Sequence, residues 1–91
     1  MKICFLDNSP IPYTSNDLNS KDIRGAENVI IHLSNELTKL NNYVDVFNNS
    51  LKNEIINSVK WSNLNNTNKN ITYDLAFTNN DMKLFEKINA N

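Results

Sequence analysis

What most constrains this chain is the succession at its start: an unbroken apolar run, a polar loop, and a long amphipathic helix, all between Met1 and Leu40. Ile3, Cys4, Phe5 and Leu6 make the run, which ends at Asp7-Asn8. A strand covered by helices on both faces is apolar throughout, whereas a strand with one wet face alternates. The run therefore predicts a strand inside a parallel α/β sheet. The helix is predicted over Ala26 to Leu40. Ala26, Val29, Ile30, Leu33, Leu37 and Leu40 recur at helical spacing, with Asn28, Asn35 and Lys39 on the other side. Ile31 falls outside that stripe and predicts a second packing contact. Full burial of each large apolar side chain contributes about 1.5–3 kcal/mol, which outweighs the modest helix propensity of the β-branched Ile30-Ile31 pair.

The loop from Asn8 to Arg24 is long for a strand-to-helix connection, where roughly 2–6 residues is usual. Ligands of open α/β sheets bind beyond the carboxyl ends of the strands, so this loop is expected to line a site. Gly25 is the only glycine. Glycine tolerates positive φ and close approach of a ligand, and the first N–H groups of a helix, lacking internal acceptors, can point at a phosphate. Asn8, Arg24 and Gly25 are accordingly the candidate substrate-binding residues. No residue stands out as catalytic, and neither a metal-ligand cluster nor a nucleophile triad is visible. His32, the only histidine, pairs with Glu36 four residues on, a spacing typical of a helix surface. Cys4, inside the strand, reads as an inert apolar filler.

Further on, Asn41-Asn42 suits a left-handed helix cap. Tyr43 to Phe47 makes a second strand interrupted by Asp45, which completes a right-handed βαβ crossover. Leu51 to Asn57 is at most a helical turn. Val59, Trp61 and Leu64 read as a short strand in which Trp61 packs, and Asn65 to Asn70 as a polar turn. Tyr73 to Thr78 is the fourth strand, and Asn79-Asn80-Asp81 caps a last helix, Met82 to Ile88, with Leu84, Phe85 and Ile88 on one side. The fold class is α/β, a partial Rossmann-like domain with a parallel sheet. Two helices would cover a doubly wound sheet thinly. Residues 1–91 are therefore read as one incomplete domain, the front of a larger protein.

A net charge of −1 and a pI of about 5.7 offer no basic footprint for nucleic acid. No apolar run approaches the ~20 residues of a membrane span, and no signal peptide is apparent. The expectation is a cytoplasmic protein, at most peripheral to a membrane. The abundance of Asn beside Ile and Lys is read as codon bias in AT-rich coding DNA, and the sequons at Asn48, Asn65 and Asn70 as its by-products.

Several segments in order resemble the N-terminal domain of family 4 glycosyltransferases, which have the GT-B fold of two Rossmann-like domains. They are Met1-Lys2-Ile3-Cys4-Phe5-Leu6-Asp7-Asn8-Ser9-Pro10, Pro12-Tyr13, Gly25-Ala26-Glu27, the Leu33, Leu37, Leu40 spacing, Tyr43-Val44-Asp45-Val46-Phe47, Val59-Lys60-Trp61 and Tyr73-Asp74-Leu75-Ala76-Phe77. The resemblance implies an enzyme that moves a sugar from a nucleotide-sugar donor to a glycan, lipid or small-molecule acceptor. It also implies retention of configuration, no bound metal and no cofactor besides the donor substrate. This chain would supply the acceptor side, the Asn8 to Asp22 loop lining it, while an absent C-terminal Rossmann-like domain grips the nucleotide. Alone it would be inactive. The family's Gly-Gly pair near the donor diphosphate reads Arg24-Gly25 here. Arg24 is either a planar fork beside the phosphates or a solvated loop residue. Glu27 matches an acidic residue of the family's first helical turn, where a carboxylate also steadies the helix's positive end. A dinucleotide-dependent oxidoreductase would need Gly-x-Gly-x-x-Gly, which one glycine cannot provide. A non-catalytic fragment or interaction module of the same fold is the alternative.

Overall fold

The computed structural model describes residues 1–17, 25–79 and 81–90. In chain order the elements are β1 (Lys2–Asp7), a 3-10 turn (Ser15–Asp17), α1 (Gly25–Lys39), β2 (Tyr43–Asn48), β3 (Glu54–Ile56), β4 (Val59–Asn63), a 3-10 turn (Leu64–Asn66), β5 (Thr72–Tyr73), β6 (Leu75–Asn79), a 3-10 helix (Met82–Lys87) and β7 (Asn89–Ala90). The main sheet has the order β3-β4-β2-β1-β6. β1 runs parallel to both β2 and β6, β2 runs parallel to β4, and β3 is antiparallel to β4. The result is an α/β fold with a mixed sheet, compatible with a Rossmann-like arrangement. β5 and β7 form a separate two-stranded parallel ribbon.

The continuous apolar run of β1 is explained by cores on both faces of the sheet. On one, Ile3, Phe5, Val44, Val46, Val59 and Trp61 pack with Tyr13 and with Ile30 and Ile31 of α1. On the other, Cys4, Leu6, Phe47, Leu64 and Tyr73 pack with Leu84 and Ile88. The second face is thus covered by 3-10 turns rather than by an α-helix.

α1 is rolled relative to the stripe expected from sequence. Its buried residues are Glu27, Ile30, Ile31 and Ser34, while Val29 is 54% and Leu33 47% exposed. Ile31 is the centre of the main contact, not a secondary one. Ser34 tolerates burial because its Oγ donates to the Ile31 carbonyl at 3.0 Å. The displaced flank of Ala26, Val29 and Leu33 borders an open groove of about 270 Å³ beside Phe77 of the edge strand β6. Phe77 stacks on Phe5 with centroids 5.2 Å apart.

The helix ends as expected. Asn41 adopts φ 66°, its N–H donates to the Thr38 carbonyl at 3.0 Å, and the Asn42 N–H reaches the Leu37 carbonyl at 3.2 Å, the paired bonds of a left-handed cap. The expected helical turn over Leu51 to Asn57 is instead β3, joined to β4 by Asn57 (φ 53°) and Ser58 (φ 66°). Two left-handed residues make the turn that matches strand twist, normally signalled by glycine. Ser58→Gly relieves the left-handed penalty and is expected to stabilise the protein by about 1 kcal/mol in urea unfolding. The fourth strand is two strands, broken at Asp74, whose N–H and carboxylate bond the Lys2 carbonyl at 2.7 Å and the Lys2 N–H at 2.8 Å. The last helix is a 3-10 helix with Asp81 as its cap, accepting from the Lys83 N–H at 2.9 Å. Leu84 and Ile88 are buried, but Phe85 is on the exposed side. Asn80 lies outside the described residues.

Candidate functional site

Strand order reverses beside β1: β2 lies on one side of it and β6 on the other. The carboxyl edge at such a reversal is where open α/β sheets hold ligands. Three of the parallel strands end there in the same local device. The side chains of Asp7, Asn48 and Asn63 accept from the N–H two residues on, of Ser9 (3.0 Å), Ser50 (2.8 Å) and Asn65 (2.9 Å). A side chain that satisfies a nearby N–H in this way turns the backbone out of the strand.

The amide donors at these ends tie neighbouring loops together. Asn48 Nδ2 donates to the Tyr13 carbonyl at 2.7 Å, Asn49 Nδ2 to the Ser9 carbonyl at 2.7 Å and Asn63 Nδ2 to the Ser50 carbonyl at 2.8 Å. Asparagines that composition attributes to coding bias therefore also hold the edge of the sheet.

Asp7 is the hub. Its buried carboxylate also accepts from Ser9 Oγ at 2.9 Å, the Tyr13 hydroxyl at 2.6 Å and Asn79 Nδ2 at 3.3 Å. Burial pushes the Tyr13 pKa far up, Asp7 raises it further, and Glu27 adds in the same sense. Tyr13 thus stays a neutral donor. Glu27 is itself buried in the first turn of α1, so it is not a solvated charge at the helix end.

Of the residues singled out from sequence, Gly25 is the first residue of α1, exposed, and not at positive φ. The conformational reason for glycine therefore falls away. The spatial one stands, because among the described residues a Cβ there would meet nothing within 4 Å. Arg24 lies outside the described residues. Asn8 is exposed and borders a polar cleft of about 590 Å³ on the Leu84 face, whereas Gly25 heads the helix on the opposite face. Asn8 and Gly25 share the sheet's carboxyl edge without sharing a pocket. The Asp7, Tyr13, Asn79 cluster escaped the sequence reading. Its one local signal is a charged residue closing an apolar run.

Cys4 is fully buried, and burial, then the nearby Asp45 charge, pushes its thiol up to about 12. Trp61 is buried and meets Tyr13 edge-on at 5.8 Å. His32 is exposed on α1. Among the described residues no group of three or more His, Cys, Asp or Glu could hold a metal ion, and no helix is long and apolar enough to cross a membrane. Set against protein-family models, curated proteins and solved structures, the chain matches none.

Proposed function

We propose that the chain is the acceptor-side, Rossmann-like part of a glycosyltransferase that moves a sugar from a nucleotide-sugar donor to a glycan, lipid or small-molecule acceptor. The observation that carries this reading is the head of α1. Gly25 opens that helix at the carboxyl edge of the parallel strands, and among the described residues no atom lies within 4 Å of where its Cβ would be. A diphosphate can approach such a backbone closely, and the positive end of a helix favours its charge. On this reading a second Rossmann-like domain grips the nucleotide, and the chain by itself transfers no sugar.

The test is a nuclear magnetic resonance titration of the isotope-labelled chain with a nucleoside diphosphate. Gly25 gives the only glycine amide signal. That signal is expected to move saturably with the diphosphate and to stay still with the plain nucleoside. Gly25→Ala should fold normally, since the added methyl meets no atom of the described residues within 4 Å, yet weaken binding about tenfold by occupying the ligand's space. An unmoved Gly25 signal, or unchanged affinity in Gly25→Ala, would sink the proposal. One observation favours the alternative of a non-catalytic interaction module. Val29, Leu33, Leu75 and Phe77 leave large apolar side chains exposed around the β6 edge, a surface of the kind that partners cover.

A further inference from the structure

We infer that the polar cleft on the Leu84 face is a binding site for a neutral, hydroxyl-rich ligand, the sugar unit of an acceptor. The inference rests on the glycosyltransferase reading and names the chemistry its acceptor must have. The cleft lies where β1, β2 and β4 end and is bounded by the 3-10 helix Met82–Lys87. Its volume of about 590 Å³ is that of a small-molecule site and holds more than one sugar ring.

Its walls carry polar groups without a hydrogen-bond partner among the described residues. Asn63 is spent at both ends, on the Asn65 N–H and the Ser50 carbonyl. Asn49 commits its Nδ2 to Ser9, which leaves its Oδ1 without a partner among the described residues. Among the described residues Asn8 has only a long side-chain contact, 3.4 Å from Asn49 to its Oδ1, which leaves its Nδ2 without a partner there. The Asn65 side chain makes no hydrogen bond among the described residues. An amide sets a donor beside an acceptor, the pattern that adjacent hydroxyls of a sugar satisfy.

Charge decides against an anion. Lys83 and Lys87 line the cleft, but so do Asp81 and Glu86, and the two pairs cancel. A phosphate would therefore gain no net attraction. Leu64 and Leu84 add an apolar patch suited to the C–H face of a ring. The bonds of Asn49 to the Ser9 carbonyl and of Asn63 to Ser50 and Asn65 hold the floor of the cleft in place before any ligand arrives, which lowers the ordering cost of binding.

The test titrates the labelled 91-residue chain with the methyl glycosides of glucose, galactose, mannose and N-acetylglucosamine, and separately with inorganic phosphate. At least one glycoside should shift the side-chain amides of Asn8, Asn49 and Asn65 and the backbone amide of Lys83, saturably, leaving Gly25 still. Phosphate should move none of them. Asn65→Ala and Asn8→Ala alter exposed side chains, so both should fold, and each should weaken the glycoside about five- to tenfold. Silence of these amides with every glycoside, or a stronger response to phosphate, overturns the inference. The nucleoside diphosphate titration separates the two proposals. A Gly25 response with silent asparagines removes the cleft and keeps the enzyme reading; glycoside shifts without a Gly25 response keep the cleft and count against the nucleotide site.

Discussion

Asp7→Ala is expected to remove about 4 kcal/mol of stability and leave much of the protein unfolded at room temperature. The carboxylate is fully buried and receives four donors: the Ser9 N–H and hydroxyl, the Tyr13 hydroxyl and the Asn79 amide. Hydrogen bonds to a charged acceptor contribute about 1.5–3 kcal/mol each, and stranding a buried donor costs about 1–3 kcal/mol, although members of one network do not add. Two or three such losses compare with the roughly 5–15 kcal/mol that holds a typical domain together. The substitution also unties the residues after β1 from the end of β6, because Asn79 reaches Asp7 across the β1–β6 reversal. Asp7→Asn keeps an oxygen for Ser9 and should lose about half as much. Trp61, the only tryptophan and packed edge-on to Tyr13, supplies the fluorescence signal for urea unfolding. If Asp7→Ala unfolds within about 1 kcal/mol of the parent, the carboxylate is not the hub described here.

How much of this was legible in the sequence follows from the range of each interaction. Ile3 to Leu6 announced a strand buried on both faces, and β1 has parallel neighbours on both sides. The cap at Asn41 was legible because it depends on a few adjacent residues. The roll of α1 was not. Counting apolar residues weights Val29 and Leu33 like Ile30 and Ile31, and treats Glu27 and Ser34 as outward-facing. Yet Ser34 is masked by its bond to Ile31, and Glu27 is buried in the first turn. β3 was missed because its turn is Asn57-Ser58 where a glycine would have signalled it. In the candidate site, Asn8 and Gly25 could be named from their place after a strand and before a helix. Their separation onto opposite faces of the sheet could not. The same limit hid the Asp7 cluster: Tyr13 reaches it by the path of the loop after β1, and Asn79 only once β6 pairs with β1.

A second hidden carboxylate should give the protein an unusual pH dependence. Asp45 sits in the middle of β2, buried on the Leu84 face, with the Tyr73 hydroxyl donating to its Oδ2 and its Oδ1 unpartnered among the described residues. Burial pushes its pKa up. The Tyr73 bond and then the Lys60 charge pull the other way, with smaller help from Tyr43 and Lys2, and the balance remains upward. In the unfolded chain Asp45 loses its proton at the ordinary carboxylate value; in the folded protein it keeps it to higher pH. Between those two values the native state binds more protons, so stability falls as pH rises through the window, and the contribution is intact only below the ordinary value. Most paired carboxylates do the reverse. Asp45→Asn cannot ionise, so its stability should lack this decline through the window and exceed the parent's at neutral pH. Tyr73→Phe should act in the opposite direction. It strips a buried carboxylate of its one hydrogen bond among the described residues and should cost about 2–3 kcal/mol at neutral pH, less in acid where the group is neutral. Urea unfolding of the three proteins at acidic and neutral pH decides the matter. Parallel pH profiles for parent and Asp45→Asn would mean that the carboxylate reaches water and bears no such strain. A profile that converges in acid and separates towards neutrality would locate the cost in the charged form of Asp45, for which Tyr73 and Lys60 compensate only in part.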